Sequence, residues 1–200
     1  LGDTNVLIRA PGKVASIRFG VIAEALPNYP TVPTRNFVDQ HVFAKLRELN
    51  IVPSELSSDA EFLRRICLDL TGTLPPPNRA REFLGSTDPQ KRDRLVETLL
   101  NSPEFDDFLF YRYSELFRWY GGATQLDKDT QLYGEWLRES IAENKPFDQL
   151  AVERIAPQGY DGPTRFYYQL RFLIPPEDII AEHVRVYLGR RLDCARCHDH

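Results

Sequence analysis

A mainly α-helical domain preceded by a short β-hairpin is the fold class this sequence predicts, and three observations predict it. Apolar residues alternate with a period of 2 over residues 4–22 and then recur with a period of about 3.6 from Asn36 onward. Pro11-Gly12 separates the two alternating runs as a turn. Beyond Asn36, Ser, Asn or Pro repeatedly stands just before an apolar stripe, where a helix needs a capping oxygen or a preset φ.

Thr4 to Ala10 and Lys13 to Ile22 read as paired strands, and Ala15, Ile17, Phe19 and Val21 fall on one face, as a half-buried antiparallel strand requires. A two-stranded sheet is marginal alone, so residues 1 to about 24 are expected to close an upstream β-module or to pack on the helices after them. Pro27, Pro30 and Pro33 make an extended linker. Phe37, Val38, Val42, Phe43, Leu46 and Leu49 then mark a first helix ending near Asn50. Ser58 and Glu61 form a capping box for a second helix bearing Phe62, Leu63, Ile66 and Leu70. Asn78 is expected to cap a short helix stopping at Gly85, Thr87 with Pro89 and Gln90 to open one reaching Asn101, and Ser102-Pro103 to start the next. Further helices fit 128–143, 146–155 and 177–189. The division is thus residues 1–28, the end of a β-module plus linker, and residues 29–200, a helical domain.

Composition bounds the function. In 200 residues, 42% hydrophobic and 27% charged suits a globular chain with a real core and excludes wholesale disorder. Lys and Arg number 25 against 29 Asp and Glu, a net charge of −4, so electrostatics gives no reason to expect nucleic acid or an anionic membrane. No apolar stretch approaches the ~18 residues of a membrane-spanning helix. The chain opens on Leu1-Gly2-Asp3 and contains no Met, which reads as a piece of something longer, with any targeting segment outside it.

The chemistry concentrates at Cys194-Ala195-Arg196-Cys197-His198, a CxxCH pattern. Two thiols three positions apart are spaced to form thioethers with the two vinyl groups of one haem, and the adjacent imidazole becomes the proximal iron ligand. A chance CxxCH arises on the order of once in a thousand chains of this length. Three other readings compete. Zinc or iron would take Cys194 and Cys197 with His198, His200 or His183. A thioredoxin-type redox pair would want a βαβ surround, which this pattern lacks. The plainest reading is a simple disulfide or two free thiols. With no Met present, a sixth iron ligand would be a histidine: His183 on the last helix, His200 only if the chain folds over the ring, or His41 only through tertiary folding. Arg190, Arg191 and Arg196 flank the motif with guanidinium groups suited to propionates. Cys67, among apolar helical positions, reads as a core residue.

Aromatic residues crowd residues 105–120. They offer a surface for stacking sugar or shielding haem, but Phe108, Leu109, Leu116, Phe117 and Tyr120 approximate one buried stripe, which is the simpler reading. Asp106-Asp107 and Asp127 with Asp129 are paired carboxylates by sequence only, and nothing there fixes their separation.

Several motifs agree, in order, with one family. Tyr29–Leu46 (YPTVPTRNFVDQHVFAKL) and Phe62–Pro75 (FLRRICLDLTGTLP) resemble the opening of the cytochrome-associated domain of unknown function in large exported planctomycete proteins. Tyr133–Asp148 (YGEWLRESIAENKPFD) resembles its middle, and Leu188–His200 (LGRRLDCARCHDH) its closing motif. The resemblance implies haem c on Cys194, Cys197 and His198, with His200 as the family's second histidine. It implies neighbouring cytochrome c and bacterial Ig-like domains, the latter ending in residues 1–24, and a periplasmic or cell-surface location. The expectation is an electron-transfer module rather than a complete enzyme, its partner a redox protein or an adjoining cytochrome domain. The alternative is a metal-stabilised structural or interaction domain of a cell-surface protein, stapled by zinc or iron and linked to polysaccharide processing.

Overall fold

The structure is a computed structural model that describes residues 2–22, 26–118, 128–160, 162–165 and 175–197. The chain divides into two compact units, residues 1–57 and 58–200.

In the first unit, β1 (Gly2–Ala10) and β2 (Lys13–Val21) pair antiparallel from Ala10↔Lys13 to Gly2↔Val21. Gly12 takes φ +73° in the two-residue turn, a conformation that glycine adopts without strain. The expected half-buried face is not found: Ile17, Phe19 and Val21 are all exposed, since a sheet of only two strands among the described residues buries little of either face. Helix α1 (Phe37–Glu48) starts where Asn36 Oδ1 accepts the Asp39 backbone N–H at 3.0 Å. Its apolar face is covered in part: Phe37, Val38 and Val42 are exposed, whereas Phe43, Leu46 and Leu49 are half-buried. An ion-pair cluster ties the helix to the hairpin: Lys45 reaches Asp3 at 2.9 Å, and Arg18 pairs with the same carboxylate. Arg18 first and Lys45 second hold the Asp3 carboxyl at about 2.

Among the described residues of the second unit all regular secondary structure is helical. Helices α2 (Asp59–Thr71), α3 (Pro77–Gly85) and α4 (Lys91–Leu100) enclose Leu63, Cys67, Phe83, Leu95 and Leu99. Ser58 Oγ caps α2 by accepting the Glu61 N–H at 3.2 Å, as the capping-box spacing predicts. Asn78 is not a cap. Helix α3 begins one residue earlier with Pro77 after Pro76, because proline supplies the φ of the first turn and has no N–H to satisfy. Helix α4 likewise begins only at Lys91, after Gln90, so Thr87 stands outside it. Cys67 is the core residue that the sequence suggests, and burial pushes its thiol pKa up.

Helices α5 (Pro103–Leu116), α6 (Lys128–Ala142), α7 (Phe147–Ile155) and α8 (Pro176–Leu188) surround a second cluster. Phe110, Phe117, Tyr133, Leu137, Ile141 and Leu150 fill it. The buried stripe of α5 runs through Phe110, Ser114 and Phe117, rather than centring on Phe108 and Leu109, which are only half-buried. Trp119 and Tyr120, which the aromatic reading includes, lie outside the described residues.

Candidate functional site

Two features of the second unit are candidates, the dithiol turn after α8 and a polar network beneath that helix. Gly189 ends α8 in the left-handed conformation at φ +62°, and the N–H groups of Gly189 and Arg190 both turn back to the Val184 carbonyl. That reversal delivers the chain into a 3₁₀ turn, Asp193–Arg196, closed by Ala195 N–H to Leu192 O at 3.0 Å and Cys197 N–H to Cys194 O at 3.3 Å. At three residues per turn, positions i and i+3 eclipse. Cys194 and Cys197 therefore leave the turn on one side. Both thiols are free and exposed, in contrast to Cys67. His198 and His200 lie outside the described residues. His41, the remaining histidine, is exposed on α1.

His183 projects from α8 into the other feature. Its Nδ1 sits 3.3 Å from Arg154 Nη1, and its ring stacks on Tyr187. A guanidinium only donates, so Nδ1 accepts and the imidazole proton resides on Nε2. Metal-bound imidazoles show the reverse arrangement, with the second ring nitrogen donating to an acceptor. Among the described residues no group of three or more His, Cys, Asp and Glu could hold a metal ion, so Cys194, Cys197 and His183 do not form one.

Arg154 is the centre of this network and fully buried, at 0% exposure. Its Nε donates to Tyr133 Oη at 3.1 Å, and its Nη2 to the Phe117 carbonyl at 3.3 Å. Its guanidinium also lies 4.5 Å from the Phe117 ring centroid, a cation–π contact. Arg185 donates to the neighbouring Leu116 carbonyl at 2.8 Å and to both oxygens of buried Glu182. Two arginines thus satisfy the open carbonyls at the C-terminus of α5, where the helix dipole favours positive charge. Sequence reasoning missed Arg154. The available signal is its spacing: it follows buried Leu150 by four positions on α7, so the two share the inward stripe.

Burial first and the Arg154 charge second hold the His183 pKa at about 4, against 6.5 for a free imidazole. Between those pH values the unfolded chain binds a proton that the folded chain does not. Stability is therefore expected to fall as pH drops from about 6.5 to about 4, by on the order of 2 kcal/mol once solvent screening at this half-buried ring is allowed for, and then to level off with respect to this group. Urea unfolding midpoints across that range measure the effect. His183→Gln, which keeps an acceptor but cannot titrate, is expected to flatten this part of the profile.

Elsewhere, one carboxylate of each sequence pair engages a cation: Asp107 accepts from Arg138 at 3.0 Å and Asp129 from Arg165 at 2.7 Å. Asp127 lies outside the described residues. Between α6 and α7 an open groove of about 620 Å³ is lined by Leu132, Glu135, Trp136, Glu139, Val152 and Glu153, among others. There Glu153 accepts from Trp136 Nε1 at 2.9 Å and pairs with Lys145 at 2.8 Å, which holds its carboxyl below the usual range.

Fold and site together define a mainly α domain, with no described helix long and apolar enough to cross a membrane, that presents two exposed thiols on one turn after its last described helix. The chain belongs to the family described as PSCyt2, Protein of unknown function (DUF1549), whose sequence model matches residues 37–200. No curated protein and no solved structure matches it.

Proposed function

We propose that this chain is a c-type-cytochrome-like module that carries a covalently attached haem for electron transfer. Cys194 and Cys197 would tether the macrocycle and His198 would ligate iron. The observation that carries the reading is the dithiol turn: two free, exposed thiols three residues apart with a histidine directly following. The turn fits the group chemically, because exposed thiols on one side of a backbone turn are open to two vinyl groups of a single ligand. When bound, haem supplies one-electron redox chemistry at a potential tuned by burial and axial ligation. The conformation of His183 supports a structural role for it, so the sixth ligand falls to another group.

Covalent haem attachment would call for export, and the hairpin, whose apolar side chains are exposed on both faces as in the closing strands of a larger β-module, supports the reading of an exported, multidomain protein of the planctomycete type with an Ig-like module upstream. Its partner would be a redox protein or an adjoining cytochrome domain. The test is co-expression in the periplasm with a cytochrome c maturation system, followed by a haem-stained denaturing gel and a pyridine haemochrome spectrum. The wild type is expected to retain haem through denaturation, and the Cys194→Ala/Cys197→Ala variant to lose it completely. A colourless wild type beside a correctly matured control cytochrome would overturn the proposal, and metal analysis for zinc or iron would then address the metal-stapled alternative.

A further inference from the structure

A helix packed by one face on a core ordinarily turns polar residues outward. Helix α8 does not. Its inward face places Ala181, Glu182, Ile179, Val186 and Tyr187 in or against the α5–α8 cluster. Its opposite face carries Ile180, Val184 and Leu188, at i, i+4 and i+8, within about 80° of one another around the helix. Ile180 is 58% exposed and Leu188 69%, with half-buried Val184 between them. The stripe runs for about 12 Å. Leu192, also exposed, continues the apolar run between the Gly189 reversal and the dithiol turn.

The surroundings of this stripe specify its occupant. At one end stand two exposed thiols, Cys194 and Cys197, and between them and the helix lie two exposed arginines, Arg190 and Arg191. A ligand matching all three features has a broad apolar face, carboxylates for the guanidinium groups and two carbons able to take thioether bonds. Haem has that combination. A protein surface would account for the apolar stripe but leave the dithiol unexplained. Resting on the haem reading above, we infer that the outward stripe of α8, Ile180, Val184 and Leu188 with Leu192, is the wall against which the tethered porphyrin packs, with Arg190 and Arg191 facing its propionates. The exposed apolar face and the dithiol turn then have one cause: each is half of a single binding surface.

Hydroxyl-radical footprinting of the full chain, in the haem-loaded wild type and in the haem-free Cys194→Ala/Cys197→Ala variant, tests the assignment without relying on electron-transfer activity. Oxidation at Ile180, Leu188 and Leu192 is expected to fall several-fold on haem attachment. Val152 and Ile155, exposed apolar residues of α7, serve as internal references and are expected to be unchanged. Equal oxidation of the stripe in the two forms, with haem demonstrably attached, would overturn the wall and leave the haem proposal standing. Protection that appears in the haem-free form as its concentration is raised would also overturn it, in favour of a second copy of the chain as occupant. Failure of the wild type to attach haem is read on the denaturing gel before footprinting and would overturn both proposals together.

Discussion

Arg154→Met is expected to destabilise the helical unit by about 3 kcal/mol or more, and the reason lies in what the substitution leaves behind. Methionine matches much of the aliphatic stem and removes the cost of burying a cation, a replacement that is neutral or favourable where every partner of a buried charge is made apolar as well. Here the partners stay. The Phe117 carbonyl, the Tyr133 hydroxyl and His183 Nδ1 each lose the hydrogen bond that the guanidinium supplies, and a lost bond at a buried polar group costs roughly 1–3 kcal/mol. Several such losses outweigh the relief of desolvation. Arg154→Lys is expected to recover only part of the stability, because one ammonium on a flexible stem cannot span directions that a planar fork serves at once. Urea denaturation followed by far-UV circular dichroism supplies the comparison. A methionine variant as stable as the wild type would show that the guanidinium costs as much to bury as its bonds return.

Arg154 also shows where sequence reading loses its grip. The helices are legible because their signals are local: the Asn36, Ser58 and Ser102 caps each bond within three residues, and Pro103 and Pro176 stand in the first turns of the helices they open. Their faces are less legible. Alternation along β2 and periodicity along α1 identify one side of each element, but how far that side is covered is a tertiary fact: Ile17, Phe19 and Val21 stay exposed, and only Phe43, Leu46 and Leu49 of the α1 face are half-buried. The α5 stripe meets a similar limit. An aromatic-rich helix has several apolar sides, and only the neighbouring α6, α7 and α8 select Phe110, Ser114 and Phe117 as the buried one. The dithiol is plain from its spacing, and the structure adds its exposure and the turn that presents it. Arg154 gives no local sign of its role, since these partners stand 21 to 37 residues away along the chain.

Gly72→Ala is expected to be about as damaging, at about 2–4 kcal/mol, although the change adds only one methyl group. Gly72 closes α2 at φ +67°, its N–H bonded to the Leu68 carbonyl at 3.0 Å, in a conformation that costs an L-residue roughly 1–2 kcal/mol. Sterics add to the strain. A Cβ at this position would stand 2.5 Å from Phe108 Cδ2 and 2.6 Å from Cε2, well inside van der Waals contact. The obstacle is a planar ring on α5 that is itself stacked on Tyr111, so it yields only by moving off its rotamer or by pushing α2 and α5 apart. Because α5 contributes Phe110 and Phe117 to the second cluster, a shift there would spread from one core into the other. The two contributions separate in a double-mutant cycle. Phe108→Ala removes the ring, so the Gly72→Ala penalty measured in that background is expected to shrink to the backbone cost alone, with a coupling energy of at least about 1 kcal/mol. A penalty that is the same in both backgrounds would mean that backbone strain, and not the ring packed over the glycine, makes this position intolerant of a side chain.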